Sequence, residues 1–265
     1  MKILFISDIV SSPGRMAIKK LLPDLKKKEA IDFVIANAEN IAGGAGITPN
    51  TIEELFALGI NVATSGDHIW DKKEIIDVIN HPYLVRPANL SESAAGKGFC
   101  FKEVAGVKVA VLNLQGRVFM KIPSDCPFAA AKKIVPQLKK ETNIIIVDFH
   151  GEATSEKRAM GWFLDGQISA MIGTHTHVQT ADEEILPQGS AYITDSGMTG
   201  PVDSVIGRKK EAVIQAFLSG MPNRFEIATD DVELQGVLIE IDNATGKAHS
   251  IKRIKEKLPI ESESV

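Results

Sequence analysis

The chain has 265 residues and a mass of 28.7 kDa, with 44% hydrophobic and 24% charged residues, a balance that excludes a disordered or collagen-like polymer and can bury a sizeable core. Thirty basic against thirty-four acidic residues leave a formal charge of -4 and a pI near 5.9, so there is no basic footprint for generic nucleic-acid binding. The two cysteines, Cys100 and Cys126, exclude a disulfide framework and a cysteine-based zinc site, and fit a reducing cytoplasm.

The N-terminal MKILFISDIV meets Asp8 too early to form the apolar core of a signal peptide and reads as a first strand over residues 3–6. A helix follows in which Ile18, Leu21, Leu22 and Leu25 share one face, with lysines opposite and Pro13 near its start. Strands over 33–36 and 60–63 flank a second helix beginning at Thr51, and a third helix begins at Asp71. Apolar runs at 108–114, 144–147, 168–172, 191–193 and 236–241 make the second half richer in strands. Helices are predicted over 155–163 and 210–218, and a hairpin-like pair spans residues 242–246. Several strands are apolar on both faces, as in a layered α/β protein. No repeat or linker interrupts the chain, and no run approaches the ~18 apolar residues of a membrane helix. One α/β domain over 1–255, a polar tail over 256–265 and a cytoplasmic protein without membrane contact are therefore expected.

Carboxylates and imidazoles fall just after several of these runs: Asp8, then Glu39 and Asn40, then Asp67 and His68, then His150, then His175 and His177. Ligands of open α/β sheets bind beyond the carboxyl ends of strands, where loops converge, so five such ends suggest one shared site. A thiolate-free Asp/Glu/His set suits manganese, iron or zinc. One bridging carboxylate could hold two ions, a pair that clamps the attacking and leaving oxygens of a phosphoryl displacement. Glycines beside the candidate ligands, Gly43, Gly44, Gly66, Gly151 and Gly173 among them, would let backbone approach the metals. Taken singly, Asp8 also reads as a turn or helix cap, Glu39-Asn40 as a polar turn and His175-Thr176-His177 as a plain loop. Asp71 orients His68 or caps the following helix, the cap being preferred. Arg86 and Arg117 could reach a phosphate or form salt bridges. Residues 194–201 could cover the site or simply turn. Phe119 and Phe128 could stack on a base, with core packing preferred. His81 and His249 match no cluster and are assigned to surface or packing.

The blocks Ser7-Asp8-Ile9-Val10, Asn37-Ala38-Glu39-Asn40, Gly66-Asp67-His68-Ile69-Trp70-Asp71, Phe149-His150-Gly151-Glu152 and Gly173-Thr174-His175-Thr176-His177 resemble those of the calcineurin-like metallophosphoesterases. FISDIVSSPGR, DFHGEATSEKRAMGWFLDG and GTHTHVQTADEEILPQGSAYITDSGMTGP narrow the resemblance to the YmdB-type bacterial 2′,3′-cyclic nucleotide phosphodiesterases, over about residues 1–255. The resemblance implies a four-layer α/β/β/α sandwich of two packed mixed sheets flanked by helices. It makes Asp8, Asn40 and His177 ligands of one metal, Glu39 the bridge, and Asp67, His150 and His175 the rest of the second site. His68 would be the general acid for in-line attack on the diester by metal-activated hydroxide. The implied cofactor is two metal ions per chain, iron as the native metal and manganese as the alternative. The implied substrate is a cyclic nucleotide or related RNA end, and self-association into a homo-oligomer is implied as well. A phosphomonoesterase or protein phosphatase on the same site, or a regulatory scaffold with an attenuated centre, are the alternatives.

Two positions depart from the general pattern. Val10 stands where the wider superfamily has a histidine, as the narrower branch does, and Asn40 fills that place. Asp67 stands where the family has asparagine, and its charge makes a centre of Asp8, Glu39, hydroxide and two divalent ions neutral. A trivalent ion in one position is the expected response, with a protonated Asp67 or weaker substrate binding as the alternatives.

Overall fold

The computed structural model describes residues 1–259; residues 260–265 of the expected polar tail lie outside the described residues. Alternation along the strands sets the layers. Strand β1 (Lys2–Ile6) turns Ile3 and Phe5 to one side and Leu4 and Ile6 to the other, and β3 (Phe33–Asn37) divides Phe33 and Ile35 from Val34 and Ala36 in the same way. Leu4, Ile6, Val34 and Ala36 pack with Ile18, Leu22 and Leu25 of α1 (Ser11–Glu29) and with Ile52 and Leu55 of α2 (Pro49–Ala57). Ile3, Phe5, Phe33 and Ile35 instead meet a second sheet, through residues of β6 (Val107–Gln115), β7 (Ile144–His150) and β8 (Ala170–Thr174) that include Val109, Val111, Ile144, Ile146 and Ile172. The far face of that sheet, with Leu112, Ile145, Val147 and Met171, is covered by Val135 and Leu138 of α3 (Pro127–Leu138) and by Met160 and Leu164 of α4 (Thr154–Leu164). The result is the expected order of layers: helices, sheet, sheet, helices.

The remaining strands are β2 (Asp8–Ile9), β4 (Val62–Thr64), β5 (Phe99–Val104), β9 (Glu184–Ile185), β10 (Ala191–Ile193), β11 (Met198–Pro201), β12 (Val232–Ile241) and β13 (Ala248–Lys257). The first sheet runs β2-β11-β12-β1-β3-β4 with β13 on β12, and the second runs β5-β6-β7-β8-β10-β9. Both are mixed. Strands β1, β3 and β4 are parallel, as are β6, β7, β8 and β10, whereas β12 runs antiparallel to β1 and to its hairpin partner β13. The loops after β1, β3, β4, β7 and β8 therefore leave the two sheets at the same kind of edge, the carboxyl ends of parallel strands.

Several elements differ from the sequence reading. The helix expected from Asp71 is a 3-10 turn over Lys73–Asp77, where Ile75 alone is buried, too narrow an apolar face for a longer helix. Helix α3 and strands β5, β9 and β11 were not expected. Pro136 interrupts the α3 pattern and Gly200-Pro201 makes β11 look like a turn, yet α3 buries Ala131, Val135 and Leu138 on one face, and β11 pairs with both β2 and β12. Strand β13 continues to Lys257, past the start of the expected tail. Helix α5 (Lys210–Ser219) lies where expected. No helix among the described residues is long and apolar enough to cross a membrane.

Candidate metal centre

All eight candidate ligand and acid residues stand at or just after strand ends. The structure brings Glu39, Asp67, His150 and His175 together, one ligand atom of each lying within 4.8 Å of the others. The Nε2 atom of His150 is 3.2 Å from Glu39 Oε1 and 3.2 Å from Asp67 Oδ1, and 3.0 Å from Nδ1 of His175. Gly66 makes this crowding possible. A Cβ there would lie 2.2 Å from Glu39 Oε2 and 2.3 Å from the His150 ring.

Hydrogen bonds decide which atom each side chain offers. The hydroxyls of Thr64 and Thr174 donate to Asp148, at 2.5 and 2.7 Å, so Thr174 Oγ1 is left to accept from His150 Nδ1 at 2.9 Å. The proton is thereby assigned to Nδ1, and Nε2 presents its lone pair to the cluster. His177 is fixed in the same manner, its Nδ1 donating to the carbonyl of Ile206 at 3.2 Å while Nε2 lies 3.9 Å from Asp8 Oδ1. The amide of Asn40 donates from Nδ2 to Gly44 O at 3.2 Å, leaving Oδ1 buried without a hydrogen-bond partner among the described residues, and its backbone carbonyl accepts the N–H of Ser11, just past β2. Asp8 accepts the N–H of His175 on Oδ2, whereas its Oδ1 is likewise buried without a hydrogen-bond partner among the described residues. Orphaned buried acceptors are rare because each forfeits its hydration. Two acceptor oxygens and an imidazole lone pair, all freed by their neighbours, fit a cation on this side of the cluster.

The electrostatics agree. Burial raises the pKa of Asp8, and although His177 and His150 oppose the shift, it stays above the usual carboxylate range. Burial also works against ionised Asp67, but the neighbouring His150 and His175 outweigh it and hold Asp67 well below that range, which disfavours a protonated Asp67. Burial disfavours a charged His150, yet Glu39, Asp67 and Asp8 raise its pKa well above the ordinary value. The carboxylates thus create a strong demand for positive charge, of the kind a bound metal satisfies. The backbone is strained here too: φ is +102° at His175 and +62° at His177, a conformation that costs about 1–3 kcal/mol per residue.

His68 lies at the rim, half-buried, with Nδ1 2.8 Å from Asp71 Oδ2 and its backbone N–H on Glu39 Oε2. Asp71 is therefore the partner of His68 and not a helix cap, since Lys72 precedes the 3-10 turn and makes no side-chain cap. Some of the remaining expectations hold and others do not. Phe119 is 84% exposed with φ +63°, so it does not pack in the core, whereas Phe128 does pack, edge-on to Phe163. Arg86 is buried and its guanidinium donates to the carbonyls of Ala95, Pro87 and Ala94, with no salt bridge among the described residues. Residues 194–201 are buried and end in β11, so they do not form an open cover. His81 stacks on Phe56, and His249 is exposed.

Two contributors went unnoticed in the sequence. Asp148 lies two residues before His150 on the same face of β7 and joins Asn37 and Thr64 of one sheet to Thr174 of the other. Burial pushes its pKa up to about 7. Glu152 sits 3.2 Å from His175 Nε2, which directs Nδ1 of that ring toward His150 and Asp67. A carboxylate at an alternate position inside an apolar strand was the available signal for the first.

The family profile described as YmdB-like protein matches residues 4–254. A Bacillus subtilis (strain 168) protein named 2′,3′-cyclic-nucleotide 2′-phosphodiesterase is 50% identical over 255 residues, 96% of either chain. The crystal structure of a hypothetical protein from Thermus thermophilus superposes with a TM-score of 0.92 at 36% identity, covering 98% of this chain and 100% of that one. A structure described as a novel phosphatase of Mycoplasma pneumoniae gives 0.91 at 40% identity, covering 97% and 93%. With a profile match along nearly its whole length and half of its residues shared with a full-length relative, the chain belongs to the YmdB-like protein family.

Proposed function

We propose that the chain is a dinuclear-metal-dependent phosphodiesterase that hydrolyses 2′,3′-cyclic nucleotides or related RNA ends. The observation that carries the proposal is the set of donor atoms left free and converging at the strand ends: Asp8 Oδ1, Asn40 Oδ1, His177 Nε2 and the Glu39, Asp67, His150, His175 cluster. Asp8, Asn40 and His177 would hold one ion, Asp67, His150 and His175 the other, and Glu39 would bridge them. Bound, the two ions would supply Lewis acidity toward the phosphoryl group and bring a water within reach of deprotonation near neutral pH. The named activity of the half-identical Bacillus subtilis relative supports the substrate class.

The chain's own part in the reaction is positioning and proton transfer. Hydrolysis of the cyclic diester adds water at phosphorus and breaks one bond to a sugar oxygen, leaving a phosphomonoester and a free hydroxyl. His68 donates the proton that the departing alkoxide needs from Nε2, while Asp71 holds Nδ1 and so orients the ring. Iron is proposed as the native metal and manganese as a substitute. Ionised Asp67, a hard ligand, favours ferric iron in its position. The full donor set gives no support to an attenuated scaffold.

The proposal extends to one domain over residues 1–255, a cytoplasmic location and a homo-oligomer. Phe217 and Leu218, 85% and 79% exposed on α5, support an apolar contact between copies. The test is to compare turnover of 2′,3′-cyclic AMP, 3′,5′-cyclic AMP and a simple phosphomonoester by manganese-loaded protein. Preferential cleavage of the 2′,3′-cyclic diester is expected, and reaction with the monoester alone would refute the proposal.

A further inference from the structure

Two family-like stretches, DFHGEATSEKRAMGW and ITDSGMTGP, each contain a charged residue with no part in the chemistry above: Lys157 and Asp195. Both are fully buried, and Lys157 Nζ donates to Asp195 Oδ2 at 2.7 Å. Desolvating two charges is unfavourable, and such a pair often adds nothing to stability over apolar residues of similar size. Strands β8 and β10 are joined by their own backbone ladder, so the fold does not require the pair to hold them together.

The geometry shows what the pair does hold. Asp195 Oδ2 also accepts the N–H of Thr176 at 3.0 Å, and Oδ1 accepts the N–H of Gly197 at 2.9 Å. Thr176 stands between His175 and His177, both of which have positive φ. A few residues on, Thr180 closes the same loop onto Asp195, its N–H donating to the Asp195 carbonyl and its Oγ1 accepting the Asp195 N–H, both at 3.0 Å. Gly173 lets the two segments meet, since a Cβ there would lie 1.7 Å from Thr194 O and 3.2 Å from Lys157 Cδ.

We propose that Lys157 and Asp195 are positioning residues for the metal centre. Asp195 clamps the Thr176 N–H and keeps His175 and His177 in their strained conformation, each ring nitrogen aimed at its own half of the donor set. Lys157 donates to the same Oδ2 and so fixes the carboxylate in that place. The inference rests on the metal-centre reading above, but not on the identity of the substrate.

The test is titration of chelator-treated protein with Mn2+ alone, comparing the parent with Lys157→Met, which keeps the bulk and removes the ammonium. Circular dichroism verifies the fold. A folded K157M that binds Mn2+ about tenfold more weakly, with turnover of 2′,3′-cyclic AMP recovered at saturating Mn2+, is expected. A folded K157M with the parent's Mn2+ affinity overturns the proposal, because a pair serving only the fold would not move that constant. If K157M does not fold, hydrogen exchange in the metal-free parent decides: the Thr176 amide should exchange as slowly as those of β8, and exchange at the rate of an open loop overturns the clamp. A parent that binds Mn2+ but leaves 2′,3′-cyclic AMP intact refutes the phosphodiesterase reading, while the affinity difference between parent and K157M still supports or overturns the clamp.

Discussion

Replacing Gly66 by alanine would place a methyl group in space that the candidate ligands occupy. The Gly66 backbone is open to any residue, so the penalty is purely steric. The new Cβ would lie 2.2 Å from Glu39 Oε2 and 2.3 Å from the Cδ2 and Nε2 atoms of His150. Non-bonded heavy atoms settle at about 3.5 Å, so Glu39 and His150 must retreat by about 1.2 Å. Neither can do so freely. His150 is held by Thr174, Glu39 accepts the His68 N–H, and both are buried. Overpacking of this kind costs about 1–3 kcal/mol, and a misplacement of about 1 Å can lower a rate about a hundredfold. Mn2+ content, turnover of 2′,3′-cyclic AMP and thermal unfolding of G66A should show depleted metal, at least about a hundredfold lower kcat and a melting point lower by a few degrees. Parental metal content and turnover would refute the packing argument and Glu39's place as the bridge.

Substituting His68→Gln should lower kcat by about 10²–10⁴ while both metals stay bound, because His68 is proposed to move a proton and not to ligate; loss of metal in step with activity would assign it a different role. Asp67→Asn should shift the centre toward two divalent ions, visible in the electron paramagnetic resonance of iron-loaded protein. Unchanged redox state and turnover would remove the case for ferric iron. Burial pushes the Cys100 thiol up to about 12 from a reference of 9.0, so alkylation at pH 8 should modify it only after unfolding. Between those two pKa values the unfolded chain has released this proton and the folded chain retains it, so Cys100 lowers stability as pH rises through the window. Cys100→Ala should flatten that part of the alkaline stability profile, and an unaltered slope would contradict the assignment.

Most of the architecture was readable wherever an element announced itself by periodicity. The strands containing Ile3, Phe33, Val109 and Ile144 alternate or run apolar, and each became a core strand facing either a helix or the opposite sheet. What escaped detection depends on distant partners. β2 and β11 are short and become strands by pairing with each other and with β12, which local composition does not encode. The Asp71 helix failed for a local reason, since the segment after it buries Ile75 alone and stops at a 3-10 turn. In the site, residue types after strand ends pointed to the donor set, but hydrogen bonds from other segments choose the ligating atoms. The carbonyl of Ile206 leaves His177 Nε2 free, and Gly44 O does the same for Asn40 Oδ1. Those partners are backbone groups and have no side-chain signature in the sequence.

The most direct test of the proposed function is hydrolysis of 2′,3′-cyclic AMP by chelator-treated protein before and after Mn2+ is returned. No turnover without metal, and full turnover once about two ions per chain have bound, is the expected result. Equal turnover in the stripped protein, or none after two ions have bound, would contradict a metal-dependent phosphodiesterase.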